Sequence, residues 1–232
     1  MQLALHPQVR FTPSTLGVEG APLLVIDNVL ADPDRLVRKA VGKAFVPQST
    51  MFPGIRAEAP FAYRQFLETA LRPHLAQYFE LAPGPFAFPM CHYSLVTTPV
   101  GQLAFLQRVP HIDSVRGDGL ASVHYLFRGN WGGTSFYRHR ATGFEVIDAA
   151  RRETYFGQLD QESRSAQAPA AAYIDDDTAL FERIGRVDAV YNRMVVYRRN
   201  SLHSGRIDNA HVPPPDPLTG RLSVNCFIDI GT

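Results

Sequence analysis

No stretch of the 232 residues approaches the roughly 18–20 consecutive apolar residues of a membrane-spanning helix, so no membrane span is expected. Cysteine is scarce: Cys91 and Cys226 are the only two, each inside an apolar run that reads as a strand. The scarcity excludes a disulfide-rich scaffold and leaves buried free thiols in a reducing, cytoplasmic setting as the expectation. Met1 to Phe11 lacks a charged start followed by an apolar core, so no signal peptide is read there. A charge imbalance is missing too. The 23 Lys and Arg stand against 22 Asp and Glu, giving a net charge of +1, which argues against a nucleic-acid partner. Lys39 and Lys43 are the only lysines, so almost all positive charge is arginine.

What remains is an ordinary globular balance, 45% hydrophobic and 19% charged. A chain of this length buries roughly 70–75% of its unfolded surface and needs no staple. One domain over residues 1–232 is expected, with residues 1–85 as an N-terminal strand and helical support and 86–232 as the core.

Pro22–Asp27 reads as a strand. Asp32 and Pro33 open a helix carrying Leu36, Val37, Ala40 and Val41 as its apolar stripe. Met51–Arg56 reads as a turn or loop. A second helical stretch runs from about Phe61 to Phe79, with Pro73 expected to kink or split it. From Phe86 onward the texture becomes short β runs: Met90–Val96, Leu103–Val109, Ala121–Phe127, Thr134–Tyr137, Arg193–Tyr197, Leu202–Arg206 and Leu222–Ile228. Residues 149–188 fit that pattern least and read as a loop-like insert. The expected class is α+β, mainly β: a jelly roll with N-terminal helices packed on one sheet.

The chemistry begins at His111-Ile-Asp113. On an extended chain residues i and i+2 point the same way, so the imidazole and the carboxylate can share one metal. Eight histidines at this acid content give about one such match by chance, so the motif alone is weak and a polar loop explains it as well. A second histidine, His203, follows the apolar run Val195-Val-Tyr197; alone it reads as a satisfied strand histidine. Two histidines and a carboxylate form the facial triad of non-haem Fe(II), with three positions open. In the last strand, alternation puts Leu222, Val224, Cys226 and Ile228 on one face and Arg221, Ser223, Asn225 and Phe227 on the other. An arginine there suits bidentate recognition of a carboxylate, or is a surface charge.

In this order the residues resemble the Fe(II)/2-oxoglutarate-dependent oxygenases, the prolyl-4-hydroxylase-like branch most of all. His111-Ile-Asp113 is followed by Ser122-Val-His-Tyr-Leu126, Gly132-Gly-Thr-Ser-Phe-Tyr137, His203-Ser-Gly205 and Gly220-Arg221. The likeness spans about Met90 to Ile228, with an echo at Leu24-Val-Ile-Asp-Asn-Val-Leu30. It implies a double-stranded β-helix of the jelly-roll or cupin-like kind, with Fe(II), 2-oxoglutarate as co-substrate and O2. His111, Asp113 and His203 would be both metal ligands and catalytic centre. Arg221, Tyr125, Tyr93 and Asn225 would hold the co-substrate, with a core aromatic as the equal alternative for Tyr93. His203 and Arg221 stand further apart than the family's usual gap, which leaves Arg206 as a competitor. Residues 149–188 and the proline-rich loop Asp208–Pro217 are candidate lids, and His124 and His139 candidate supporting groups.

The expected activity is dioxygenase oxidation of a small molecule or an amino-acid side chain, releasing succinate and CO2. A cupin-type metal enzyme without 2-oxoglutarate and a silent jelly-roll binding module stay as alternatives, and a homodimer is compatible with the sequence.

Overall fold

A computed structural model describes residues 2–49 and 51–231. Its framework is a seven-stranded antiparallel sheet in the order β1 (Arg10–Leu16), β2 (Ala21–Asp27), β8 (Met194–Arg198), β5 (Leu120–Tyr125), β10 (Leu222–Ile230), β4 (Phe86–Val96), β3 (Gly54–Glu58). A three-stranded antiparallel sheet follows the order β7 (Phe181–Asp188), β6 (Gly133–His139), β9 (His203–Arg206).

Side-chain alternation divides the large sheet into two working faces. One face buries Leu24, Ile26, Cys91, Tyr93, Leu95, Val196, Leu222, Val224, Cys226 and Ile228. Against it pack Leu36, Val37 and Ala40 of α1 (Asp34–Val41), Tyr63 and Phe66 of α2 (Phe61–Phe66), and Leu75 of α3 (Arg72–Tyr78). The other face carries Leu23, Ala121, Val123, Tyr125, Val195 and Tyr197 toward Phe136 and Val187 of the small sheet. The molecule is therefore mainly β, with helices on one face of a sheet, as the sequence pattern predicts.

The expected split at Pro73 is present and has a visible mechanism. Between α2 and α3 the chain widens into a π-helical turn, Leu67–Leu71, which accommodates a proline ring that cannot fit regular α packing. Asp32 does not cap α1 with its side chain; it pairs instead with Arg38 at 3.3 Å.

Several expectations are corrected. Leu103–Val109 is not a strand but irregular chain around a 3-10 turn, Phe105–Gln107. Gly54–Glu58, expected to begin as a loop, is edge strand β3, because Gly54 lets the chain press within van der Waals contact of the Leu95 carbonyl. The insert 149–188 is only partly loop: it contains α4 (Arg152–Ser163) and β7, whose alternation is blurred by a register shift opposite Phe136/Tyr137. Tyr155 and Leu159 of α4 pack with Tyr137, Ile147 and Phe181. The two cysteines are not free thiols. The β4–β10 register sets Cys226 directly opposite Cys91, with Cα atoms 4.1 Å apart, and the sulfurs are joined.

Candidate metal centre and its cavity

His111 and His203 meet through the backbone first. Each donates its amide N–H to the other's carbonyl, at 2.9 and 3.0 Å, an antiparallel bridge that puts both side chains on the same side. Their ring centroids are 4.4 Å apart. Asp113, two residues beyond His111, is held by its own amide, which donates to the Arg199 carbonyl at 2.8 Å. Its carboxylate then lies 3.8 Å from His111 Nε2 and 3.6 Å from His203 Nε2.

Cis ligands about 2.1 Å from one metal stand about 3 Å apart, so these atoms are grouped around a common point with slightly wider spacing than a bound ion would impose. The ligand atoms of the three residues all lie within 4.8 Å of one another. His203 Nδ1 faces the Ser201 carbonyl at 3.0 Å, so this nitrogen must carry the proton and Nε2 keeps its lone pair for the site. Tyr197 stands 4.6 Å from the His203 ring and helps fix its plane.

Electrostatics agree with the geometry. Burial, and for His111 also the neighbouring His203, lowers both imidazoles to about 4, so both are neutral near pH 7. Burial raises the Asp113 carboxyl, only partly offset by His111, Arg199 and Arg56. Two lone pairs and a poorly neutralised carboxylate call for a cation, and two imidazoles with one carboxylate are a donor set that suits a divalent transition metal.

The triad lines a cavity of about 110 Å³ between the sheets. Arg221 borders it, 5% exposed, donating Nε to the Trp131 carbonyl at 2.8 Å and Nη2 to the Gly133 carbonyl at 2.7 Å. Among the described residues no carboxylate pairs with it, and burial lowers its pKa. Arg206 differs: it pairs with Asp188 at 2.7 Å and sits near Asp175. Asn225 lines the cavity and accepts from Ser223 Oγ at 2.7 Å.

Tyr125 shares the Arg221 face, because its register partner is Ser223 on the same side of β10. Its hydroxyl bonds Thr134 Oγ1 at 2.7 Å, and Thr134 lines the cavity. Tyr93 is not brought there. It pairs with Val224, a residue of the helix-covered face, and its hydroxyl donates to the Leu36 carbonyl at 2.8 Å. His124 and His139 are also elsewhere: His124 lies between Tyr63 and Asn192, and His139 bonds Glu162 on α4 at 2.8 Å.

The sequence reading missed Thr134, although it sits inside the quoted Gly-Gly-Thr motif. It missed Arg56 on β3 and Tyr173 from the insert, both cavity-lining. Tyr173 is tied to the proline-rich loop, exchanging hydrogen bonds with Asn209 at 2.7 and 3.0 Å, so both candidate lids meet at one wall.

The fold has known counterparts. HygX from Streptomyces hygroscopicus, solved with nickel and 2-oxoglutarate, is 11% identical with a TM-score of 0.51, covering 91% of this chain and 84% of its own. An N-substituted L-amino acid dioxygenase from Burkholderia ambifaria is 11% identical with a TM-score of 0.49, covering 98% and 95%. The non-haem α-ketoglutarate-dependent epimerase SnoN from nogalamycin biosynthesis is 13% identical with a TM-score of 0.47, covering 87% and 71%. At such identity the HygX likeness shows a shared fold. No curated protein matches the sequence. The chain belongs to the family of unknown function DUF6445, which it matches over residues 7–228.

Proposed function

We propose that the chain is an Fe(II)- and 2-oxoglutarate-dependent dioxygenase that oxidises a small molecule or an amino-acid side chain. One observation carries the reading: Arg221, buried and without a carboxylate partner among the described residues, borders the same cavity as the His111/Asp113/His203 cluster. A buried guanidinium is costly unless an anion completes it, and the far carboxylate of a 2-oxo acid fits that need. Bound Fe(II), 2-oxoglutarate and O2 would supply oxidative decarboxylation to succinate and CO2, with one oxygen atom going to the substrate.

His111, Asp113 and His203 would hold the metal. The Ser201 carbonyl keeps His203 in the ligating tautomer. Trp131 and Gly133 carbonyls aim Arg221, whose free edge grips the co-substrate, and Arg206 is removed from that role by its bond to Asp188. Thr134, oriented by Tyr125, and Asn225 would add neutral hydrogen bonds along the same wall. We further propose that the two sheets form a double-stranded β-helix, that residues 1–85 act as its support within one domain, that the His-Ser-Gly and Gly-Gly motifs ally it with the prolyl-4-hydroxylase-like branch, and that the enzyme works in the cytoplasm.

The test is an anaerobic titration with Fe(II) and 2-oxoglutarate, watching for the weak visible charge-transfer band of the ternary complex. The expected result is a band in the wild type that is lost in His203→Ala. Folded protein with no band overturns the proposal in favour of a silent binding module. Metal binding without any response to 2-oxoglutarate would favour a cupin-type enzyme.

A further inference from the structure

The cavity holds a second cation for which the reading above has no use. Arg56, on edge strand β3, points from the sheet into the cavity floor: its register partner is Ser94, which faces Ser223 on the Arg221 side of β10. Its guanidinium stacks over the Phe52 ring at 4.0 Å. Among the described residues, Nη1 meets only the thioether sulfur of Met90, at 3.4 Å, and buried Nε has no hydrogen-bond partner. No carboxylate pairs with it among the described residues. A stacked guanidinium keeps its N–H edge free for bidentate contact, so the missing piece is a planar oxyanion.

Arg56 and Arg221 come from different strands: Arg56 is on β3 and Arg221 immediately precedes β10, with β4 between them. Arg221 Nη2 lies near Gly205, two residues past His203, where an added Cβ would stand 3.9 Å away. The Arg56 charge is felt at His111 and Asp113. Burial lowers the Arg56 pKa to about 10, with Asp113 opposing the shift, which marks a cation short of counter-charge. The surroundings of Arg56 are apolar: Phe52, Pro53, Met90 and Leu106 line the same space. No lysine lines it, and a dianionic phosphate would call for more donors than this wall offers.

We propose that the substrate to be oxidised is a small carboxylic acid with an apolar body, and that Arg56 is the residue that binds its carboxylate. This assignment rests on the dioxygenase reading. Co-substrate and substrate would then be gripped by separate arginines lining the same cavity. Arg56 becomes a specificity-determining residue, orienting a C–H bond of the acid toward the open metal positions.

Benzoate and its neutral isostere benzamide serve as probes, titrated anaerobically by calorimetry into the full chain saturated with Fe(II) and 2-oxoglutarate. Benzoate is expected to bind in the millimolar range, benzamide at least about tenfold more weakly, and Arg56→Gln to weaken benzoate about tenfold or more while the charge-transfer band is unchanged. Arg56→Lys should recover part of the affinity. Equal binding of benzamide, no binding of benzoate, or a benzoate affinity indifferent to Arg56→Gln each overturns the proposal. Should the wild type show no charge-transfer band, the dioxygenase reading fails. The same titration on the metal-free protein then decides the carboxylate site alone.

Discussion

Arg206 and Arg221 illustrate at residue scale how partners decide a role. The two are alternatives for the co-substrate carboxylate by sequence. In the folded chain Asp188 pairs with Arg206, while Arg221 donates, among the described residues, to neutral carbonyls alone. Arg221→Met is therefore expected to weaken 2-oxoglutarate by about 10- to 100-fold, the value of one charge-assisted contact, and Arg206→Met to leave it near the wild-type value. Titration of the charge-transfer band measures both; the reverse order would transfer the role to Arg206. Tyrosine hydroxyls separate the same way. Tyr125→Phe removes the partner of Thr134 and should weaken 2-oxoglutarate several-fold. Tyr93→Phe loses a bond to Leu36 and should cost about 1 kcal/mol of stability with co-substrate affinity unchanged. Parity decides this: an antiparallel partner shares its neighbour's face, so Tyr93 opposite Val224 could not reach a cavity lined by Asn225.

At the scale of elements, the β1–β2 hairpin is fastened to the small sheet through Glu145. Its carboxylate accepts from the amides of Val18 and Glu19 and from Arg138, whose Nε lies at 2.8 Å. Gly17 makes the approach possible: φ is +56°, and a Cβ there would come within 2.1 Å of Glu145 Oε2. Gly17→Ala should cost about 2–4 kcal/mol in denaturant unfolding, by displacing a buried carboxylate from its donors. Gly20→Ala is the control, with φ at +66° but nothing within 4 Å, and should cost about 1–2 kcal/mol. Equal losses would mean that backbone conformation alone matters and that the Glu145 contact adds nothing. Such long-range fastenings also mark where the sequence stops being readable. Strands with a clean alternation, such as Leu222–Ile228, were legible because they depend on local pattern. By sequence, His203 joins His111 and Asp113 only through the family resemblance, because a long-range bridge brings them together. Strand β1 carries a proline and mostly exposed side chains, β7 has a glycine and a register shift, and Arg56 sits in an edge strand of five residues; each is a strand only because a neighbour supplies its hydrogen bonds.

Across the whole molecule, the two faces of the large sheet divide the work, one anchoring helices and the other enclosing the cavity. The anchoring face contains its own polar chain. Tyr63 on α2 donates to His124 Nδ1 at 3.0 Å, and His124 Nε2 donates to Asn192 Oδ1 at 3.2 Å. Asn192 in turn ties Leu30 through both backbone groups, at 3.0 and 2.9 Å. Since Asn192 Oδ1 and Tyr63 fix which imidazole nitrogen carries the proton, the native state needs a neutral ring, and burial lowers His124 to about 4. The unfolded chain binds this proton near pH 6.5, so between about 6.5 and 4 the unfolded state holds more protons and stability falls as pH falls. The full loss from His124 approaches about 3 kcal/mol below pH 4. His111 and His203 titrate in the same direction in metal-free protein, so the informative quantity is a difference between variants. His124→Gln should be less stable than wild type at pH 7 by about 1–3 kcal/mol, with the gap narrowing as pH drops to 4 because the variant has no ring to protonate. Urea unfolding across that range reads the gap directly. Parallel profiles for wild type and variant would show that His124 already carries its proton in the native state, and that the Tyr63–His124–Asn192 chain is not what sets the acid limit of the fold.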